Sequence, residues 1–300
     1  PGLETRSAPS PPVLPPLSVP NDSLTLRPIP LSPPPPGPES SIRWGRFIPV
    51  STLMAGAYTG AYLVERQKWW VGQVPFHFDS HLDYAQNMDK LGHFYVSQMQ
   101  ALANTRVLEW TGVRSSRAGI AAGLLTLAGQ TNVEIHDGYN KRWGFDVYDA
   151  VANVMGVSWF YAHERVPALR RFDIRLGYWN PELPPINQSR PTTLFTDDYM
   201  GMTFWLSMRV YDLLPDRIRP YWPRFLKLSG GISLNDWQDH PDPDAYLSTH
   251  ISVDIDWREI IPRDSWIGRT GGDILNRYHL PAPAIQITPR PGFSLIFLGQ

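Results

Sequence analysis

The chain contains no cysteine among its 300 residues. We therefore expect no disulfide bond, no zinc site with thiolate ligands, no cysteine nucleophile and no lipidated cysteine in the sequence as it stands. Any metal site would have to draw its ligands from histidine and carboxylate side chains.

A strong net charge is also lacking. The formal charge is −1 and the isoelectric point is about 6.8, so we expect no nucleic-acid partner. Ser97 has no GxSxG setting, and no glycine-rich phosphate loop stands between a strand and a helix. The sequence therefore indicates neither a serine-hydrolase site nor a phosphate-binding loop.

Proline dominates the N-terminal part of the chain, since residues 1–38 hold 14 of the 31 prolines. Such a segment cannot pack a hydrophobic core and should be extended. We expect an arm of residues 1–42 that a partner protein holds on its surface. Because the chain begins at Pro1, we also expect a processed start, as after removal of a signal peptide.

Four segments within residues 43–168 favour helices. The first, residues 47–64, has 18 uncharged residues, which is near the lower limit for a membrane-spanning helix and also typical of a buried core helix. Short connections between the segments predict an antiparallel four-helix bundle associated with the membrane. The other three helices are expected at about Asp89–Trp110, Ser115–His136 and Asp146–Glu164.

We expect residues 169–300 to form a third, mainly β unit after the arm and the helical bundle. Phe172–Tyr178 alternates with period two, as a half-buried strand does. Residues 199–214 instead fit a helix. The expected fold class is therefore α+β, with the bundle followed by a small antiparallel β unit. Further strand-like segments are residues 225–234, 246–257, 284–288 and 292–298.

Acidic, amide and imidazole side chains recur on three of the predicted helices. Each helix carries a pair or triplet on one face, because the spacings are three or four residues. An antiparallel bundle would bring these groups together as one polar network, formed by Asp89 and His93, Glu134 and Asp137, and Asp146, Asp149 and Asn153.

Two interpretations of this network remain open. It could bind a divalent metal or serve as an acid–base site, with Asp89, His93, Glu134 and Asp137 as candidate metal ligands. Alternatively, it caps the helices and holds the bundle together, because acids in a first helical turn are stabilised by the helix dipole. Capping explains His93, Glu134 and Asp149 least well, so these three are the candidate catalytic residues.

Two further signals are weaker. His77, Asp79, His81 and Asp83 alternate within the loop 71–87, where such side chains are usually solvated. His279 is followed by a proline-rich turn, so we expect it to make a local hydrogen bond.

Three motifs carry a resemblance: Asp-Lys-x-x-His-Phe at 89–94, Glu-x-x-Asp-Gly at 134–138, and Gly-Phe-Asp-x-x-Asp-x-x-Ala-Asn-x-x-Gly at 144–156. They resemble an uncharacterised bacterial family of predicted periplasmic lipoproteins, and their order is similar to that in the VanZ-like membrane family. The resemblance covers about residues 45–298. It implies a location in the bacterial cell envelope on the periplasmic side and a membrane-associated helical bundle, and it implies no established reaction.

Two functions follow as hypotheses. The first is a non-catalytic accessory subunit of a larger envelope membrane complex, of the energy-converting or secretion type. Residues 1–42 and an aromatic surface would contact the integral membrane partner, and lipid is expected nearby, because the chain has 12 Trp, 13 Tyr and 12 Phe. The alternative is a metal-dependent, membrane-associated hydrolase acting on a lipid or cell-wall precursor.

Overall fold

The structure is a computed structural model that describes residues 41–179, 198–237 and 244–297. These residues form an α+β fold, as predicted, with five α-helices and one six-stranded antiparallel sheet. All but the last two residues of the predicted N-terminal arm lie outside the described residues. The helices are α1 (Trp44–Lys68), α2 (Met88–Trp110), α3 (Ser115–Asp137), α4 (Val147–Arg165) and α5 (Trp266–Leu275).

Helices α2, α3 and α4 pack against one another along their lengths. Helix α3 runs antiparallel to α2, because Gln130 is bonded to Gln100, whereas Thr126, one turn earlier on α3, is bonded to Asn104, one turn later on α2. Helix α4 approaches α2 so closely that a Cβ atom on Gly156 would clash with the backbone carbonyl of α2. Glycine is therefore required there for the two helices to meet.

Helix α1 lies along the outside of this group. Tyr58 accepts a hydrogen bond from Asn104 on α2, and Tyr62 stacks edge-on against His136 on α3. Its segment Trp44–Gln67 is long and apolar enough to cross a membrane, and none of its most apolar stretch is buried. The predicted four-helix bundle is not confirmed in that form, because α1 is peripheral to the packed group α2–α4.

The six strands follow one another in chain order across the sheet. They are β1 (Phe172–Tyr178), β2 (Met202–Met208), β3 (Leu226–Asn235), β4 (Tyr246–Ile255), β5 (Ala282–Thr288) and β6 (Gly292–Phe297). All neighbours are antiparallel, in agreement with the predicted β unit.

The helix predicted for residues 199–214 is wrong. The chain makes a short 3-10 turn at Tyr199–Gly201 and then forms strand β2. This strand lies between β1 and β3 and pairs with both. Tertiary pairing of a central strand has overridden a local pattern that fits a helix.

The sheet curves strongly. Trp205 on β2 and Phe297 on β6 are only 5.7 Å apart, measured between ring centroids. In a flat sheet, strands four places apart would be separated by about 19 Å. The segment before β5 also reaches the free edge of β1, where Leu176 donates its N–H to the carbonyl of Arg277. The concave face is therefore largely closed.

One part of the convex face covers helix α2. Leu176, Phe204 and Leu234 pack there against Met88 and Tyr95, and all five side chains are buried. This contact joins the sheet to the N-terminal half of α2 and thereby fixes the orientation of that helix.

Candidate functional site

Three helices bring one side chain each to a common point. His93 lies on α2, Glu134 near the end of α3 and Asp149 in the first turn of α4. The imidazole Nδ1 is 3.4 Å from a carboxylate oxygen of Glu134, and Nε2 is 3.7 Å from one of Asp149. Ligand atoms of all three residues lie within 4.8 Å of one another. We call this group the His–Glu–Asp cluster.

Local structure positions each element of the cluster. A left-handed turn, with positive φ at Ala85, Gln86 and Asn87, leads directly into α2. Asp146 caps α4 by accepting a hydrogen bond from the N–H of Tyr148 at 2.7 Å. The cluster therefore lies at the end of the bundle where α2 and α4 begin and α3 ends.

The side chain of Glu134 is only 1 % exposed, and few neighbouring groups would stabilise its ionised form. Asn153 donates a long hydrogen bond to it at 3.3 Å, and Asn153 itself accepts one from Ser97 at 2.8 Å. Within the part of the chain that the structure describes, His93 is the only basic side chain within 4.0 Å of the Glu134 carboxyl group. A buried carboxylate in this position is costly unless a cation accompanies it.

Lys90 fills the space beside the cluster. Its ammonium group is 2.7 Å from Asp89, 2.6 Å from Asp146 and 3.0 Å from Asp149. The single positive charge of Lys90 is thus shared by three carboxylates, so the site as a whole retains an excess of negative charge.

These surroundings shift the pKa values of the carboxyl groups. Burial, together with the negative charge of Asp149, raises the pKa of Glu134 to about 9. Burial likewise raises the pKa values of Asp89 and Asp149 to about 6, although Lys90 opposes the shift. Burial lowers the pKa of His93, so its imidazole is neutral at pH 7. Neutral imidazole is the form that binds metals.

The seven residues of the predicted polar network all lie at or beside this point, but their roles differ. Asp89 holds Lys90, and Asp137 accepts a hydrogen bond from Trp70 at 2.8 Å. Neither belongs to the His–Glu–Asp cluster, although both are among the candidate metal ligands proposed from the sequence. The third member of the cluster is Asp149, which the sequence had proposed as a catalytic candidate.

The two weaker signals have ordinary structural explanations. In the loop, His81 is 2.6 Å from Asp79, and both side chains are nearly half exposed. His279 makes a hydrogen bond, but not the local one expected of it: its Nδ1 is 2.8 Å from Asp254 on β4, and its ring stacks on Trp205.

Sequence reasoning missed Lys90. The residue stands inside the Asp-Lys-x-x-His motif, which was the available signal. A lysine in the first turn of a helix is usually solvated, whereas this side chain is only 12 % exposed.

The arrangement combines one neutral imidazole with two carboxylates, a donor set that suits a divalent cation such as zinc, manganese or iron. The side chain of His93 is 24 % exposed, so the cluster is reached from solvent on one side. Three protein ligands and an open side are also the arrangement found in catalytic rather than structural zinc sites.

Residues 78–163 match the family described as predicted periplasmic lipoprotein (DUF2279). The match covers α2, α3 and all but the last two residues of α4, and it includes the whole polar network. It confirms the family resemblance over these residues, a shorter range than the predicted 45–298, and its description agrees with the predicted location in the cell envelope. The similarity to the VanZ-like family stays a prediction. No curated protein and no solved structure matches the chain.

Proposed function

We propose that the protein binds a divalent cation through His93, Glu134 and Asp149 and acts as a metal-dependent hydrolase at the membrane. The observation that carries this proposal is the convergence of three ligand atoms from three helices within 4.8 Å. The burial of Glu134 supports it, because a bound cation would stabilise the ionised carboxylate that burial otherwise disfavours.

The surrounding side chains have roles that fit hydrolysis. Asn153, itself oriented by Ser97, fixes the carboxylate of Glu134. Lys90 places a positive charge within 3.0 Å of Asp149, where it would stabilise an anionic oxygen of a substrate. A bound cation would supply an activated water at its open position.

The expected substrate is a lipid or cell-wall precursor held at the membrane surface. Trp69 and Trp70 follow α1, the candidate membrane helix, and Trp70 contacts Asp137 at the same end of the bundle as the cluster. Tryptophan is enriched at the level of lipid headgroups. With α1 in the bilayer, the cluster would lie near the headgroups.

Metal content tests the proposal directly. We expect the full chain, purified in detergent and incubated with zinc or manganese, to retain one ion per molecule by elemental analysis. His93→Ala should lose it, because one of three ligands is removed, whereas His81→Ala in the loop should retain it. Release of water-soluble phosphate from phospholipid micelles should follow the metal content.

The outcomes separate the alternatives. Loss of metal in His81→Ala instead of His93→Ala would move the site to the loop. Full metal content without any phosphate release would exclude the phosphate ester of a phospholipid as the substrate. Absence of bound metal in the wild type would leave the cluster as a structural polar network.

An accessory subunit of a membrane complex is the second candidate. The outer faces of α3 and α4 support it, since Leu124, Val151 and Met155 are about half exposed or more and would suit a protein partner. The proposed partner contact of residues 1–42 lies almost wholly outside the described residues. Deleting residues 1–38 should release the protein from co-purifying membrane proteins in mild detergent, and unchanged co-purification would contradict this role.

A further inference from the structure

The sheet has its polar side inside and its apolar side outside. On the concave face Asp173, Arg175 and Lys227 are fully buried. Arg175 is 2.7 Å from Asp254, and Arg258 is 2.7 Å from Asp173, so these charges are paired with one another. A sheet in water usually has the opposite arrangement, with its apolar side facing the core.

The convex face carries a continuous apolar row where α2 does not cover it. The strand register places Leu206 on β2, Gly230 on β3, Ile251 on β4, Ile285 on β5 and Phe293 on β6 side by side. The four large side chains of this row are 42–70 % exposed. Single exposed apolar residues are ordinary, but a row across five strands forms a patch.

A second row lies toward the β2–β3 connection. Leu228 and Val253 face each other there and are 42 % and 36 % exposed. Neither row contains a charged residue. Along these strands, apolar side chains that point outward alternate with polar side chains that point inward. This is the pattern of strands whose outer face contacts lipid.

The β2–β3 connection shows what would cover this face. Residues 217–225 contain three arginines and no acidic residue. Arg217 and Arg224 are exposed, and neither forms an ion pair with a described residue. Arg219 does form one, at 2.6 Å from Asp216, which comes directly before this segment. The same segment exposes Ile218 and Tyr221, the latter to 87 %. Exposed cations beside aromatic and apolar side chains complement an anionic lipid surface.

We propose that the convex face of the sheet lies against the hydrocarbon of an anionic lipid bilayer, with residues 217–225 at the level of the headgroups. This inference does not depend on the metal site. It adds a second membrane contact to that of α1, and it accounts for a sheet that buries charged side chains on one face and exposes a row of apolar side chains on the other.

Because the chain contains no cysteine, a single introduced cysteine can carry a dye that reports how deeply that position lies in the bilayer. Single variants Ile251→Cys and Ile218→Cys of the full chain would carry an environment-sensitive dye. Leu53→Cys on α1 reports insertion of the candidate membrane helix, and Asp264→Cys, in an exposed loop before α5, is the polar control. The vesicles contain equal parts of phosphatidylcholine and phosphatidylglycerol, with acyl chains brominated or not.

We expect the dye at Ile251 to shift to the blue and to lose most of its fluorescence to brominated chains. The dye at Ile218 should shift to the blue with less quenching, and only when phosphatidylglycerol is present. The control at Asp264 should change little. Quenching at Leu53 without quenching at Ile251 would overturn the proposal. A blue shift at Ile251 without quenching would also overturn it, because protein, either a second copy or another segment of the chain, would then cover the face.

Discussion

Glu134→Gln should abolish metal binding and, at the same time, stabilise the metal-free protein at pH 8. The two effects have opposite signs because they arise from the same charge. A bound cation needs the ionised carboxylate, whereas in its absence burial makes that ionised form unfavourable and raises the pKa of Glu134 to about 9.

The direction of the pH dependence follows from the raised pKa. The folded protein holds the Glu134 proton up to about pH 9, whereas the unfolded chain releases it near pH 4.5. The free energy of unfolding therefore falls as the pH rises between these values. At about 1.4 kcal/mol per pKa unit, the neutral amide should recover a few kcal/mol at pH 8 and little at pH 5.

Thermal unfolding in detergent with a chelator, at pH 5 and pH 8, measures this effect. Glu259→Gln is the matched control, because Glu259 is more exposed and pairs with Arg209 away from the site. It should lower stability slightly at both pH values. If Glu134→Gln instead destabilises the metal-free protein at pH 8, Glu134 acts as the charged partner of His93 in a structural pair and the metal site is contradicted.

The sequence predicts the helical part of the fold well. The predicted boundaries of α2, α3 and α4 differ from those in the structure by a single residue at each displaced end. The connections between these helices are short. Asp146 is a residue type favoured at helix N-termini, and in the structure it is the N-cap of α4. The choice of His93, Glu134 and Asp149 also rested on a physical argument, since helix capping explained them least, and these three residues converge.

The β unit was harder to predict, for two reasons. Period-two alternation identifies the two faces of a strand but does not say which face is buried. For β4 the apolar side, with Ile251 and Val253, is the exposed one. Helix α5 was not foreseen, because its sequence contains Gly268, Gly271 and Gly272, which disfavour a helix in the absence of tertiary contacts.

Lys90→Met should produce the largest loss of stability among substitutions at the site. The ammonium group lies within 3.0 Å of Asp89, Asp146 and Asp149, and its removal leaves three buried carboxylates without a nearby lysine. Breaking a buried pair by removing one partner costs about 3–5 kcal/mol. We expect a loss of that order at pH 8 in the presence of a chelator.

Lower pH should relieve part of this loss. The pKa values of Asp89 and Asp149 are already raised to about 6 beside Lys90, and removing the lysine raises them further. Below these pKa values the two carboxyl groups are protonated and no longer repel each other. The difference in the free energy of unfolding between Lys90→Met and wild type should therefore be smaller at pH 5 than at pH 8. A divalent cation should restore part of the stability at pH 8, because it would replace the lost positive charge.

Chemical denaturation in detergent at the two pH values, with and without zinc, measures these differences. Lys141→Met is the control, because Lys141 is exposed, and it should change the free energy of unfolding by less than about 0.5 kcal/mol. Equal stability of Lys90→Met and wild type at pH 8 would show that Lys90 does not neutralise the carboxylates. A loss that zinc leaves unchanged would show that the lysine, rather than a cation, is what the site requires.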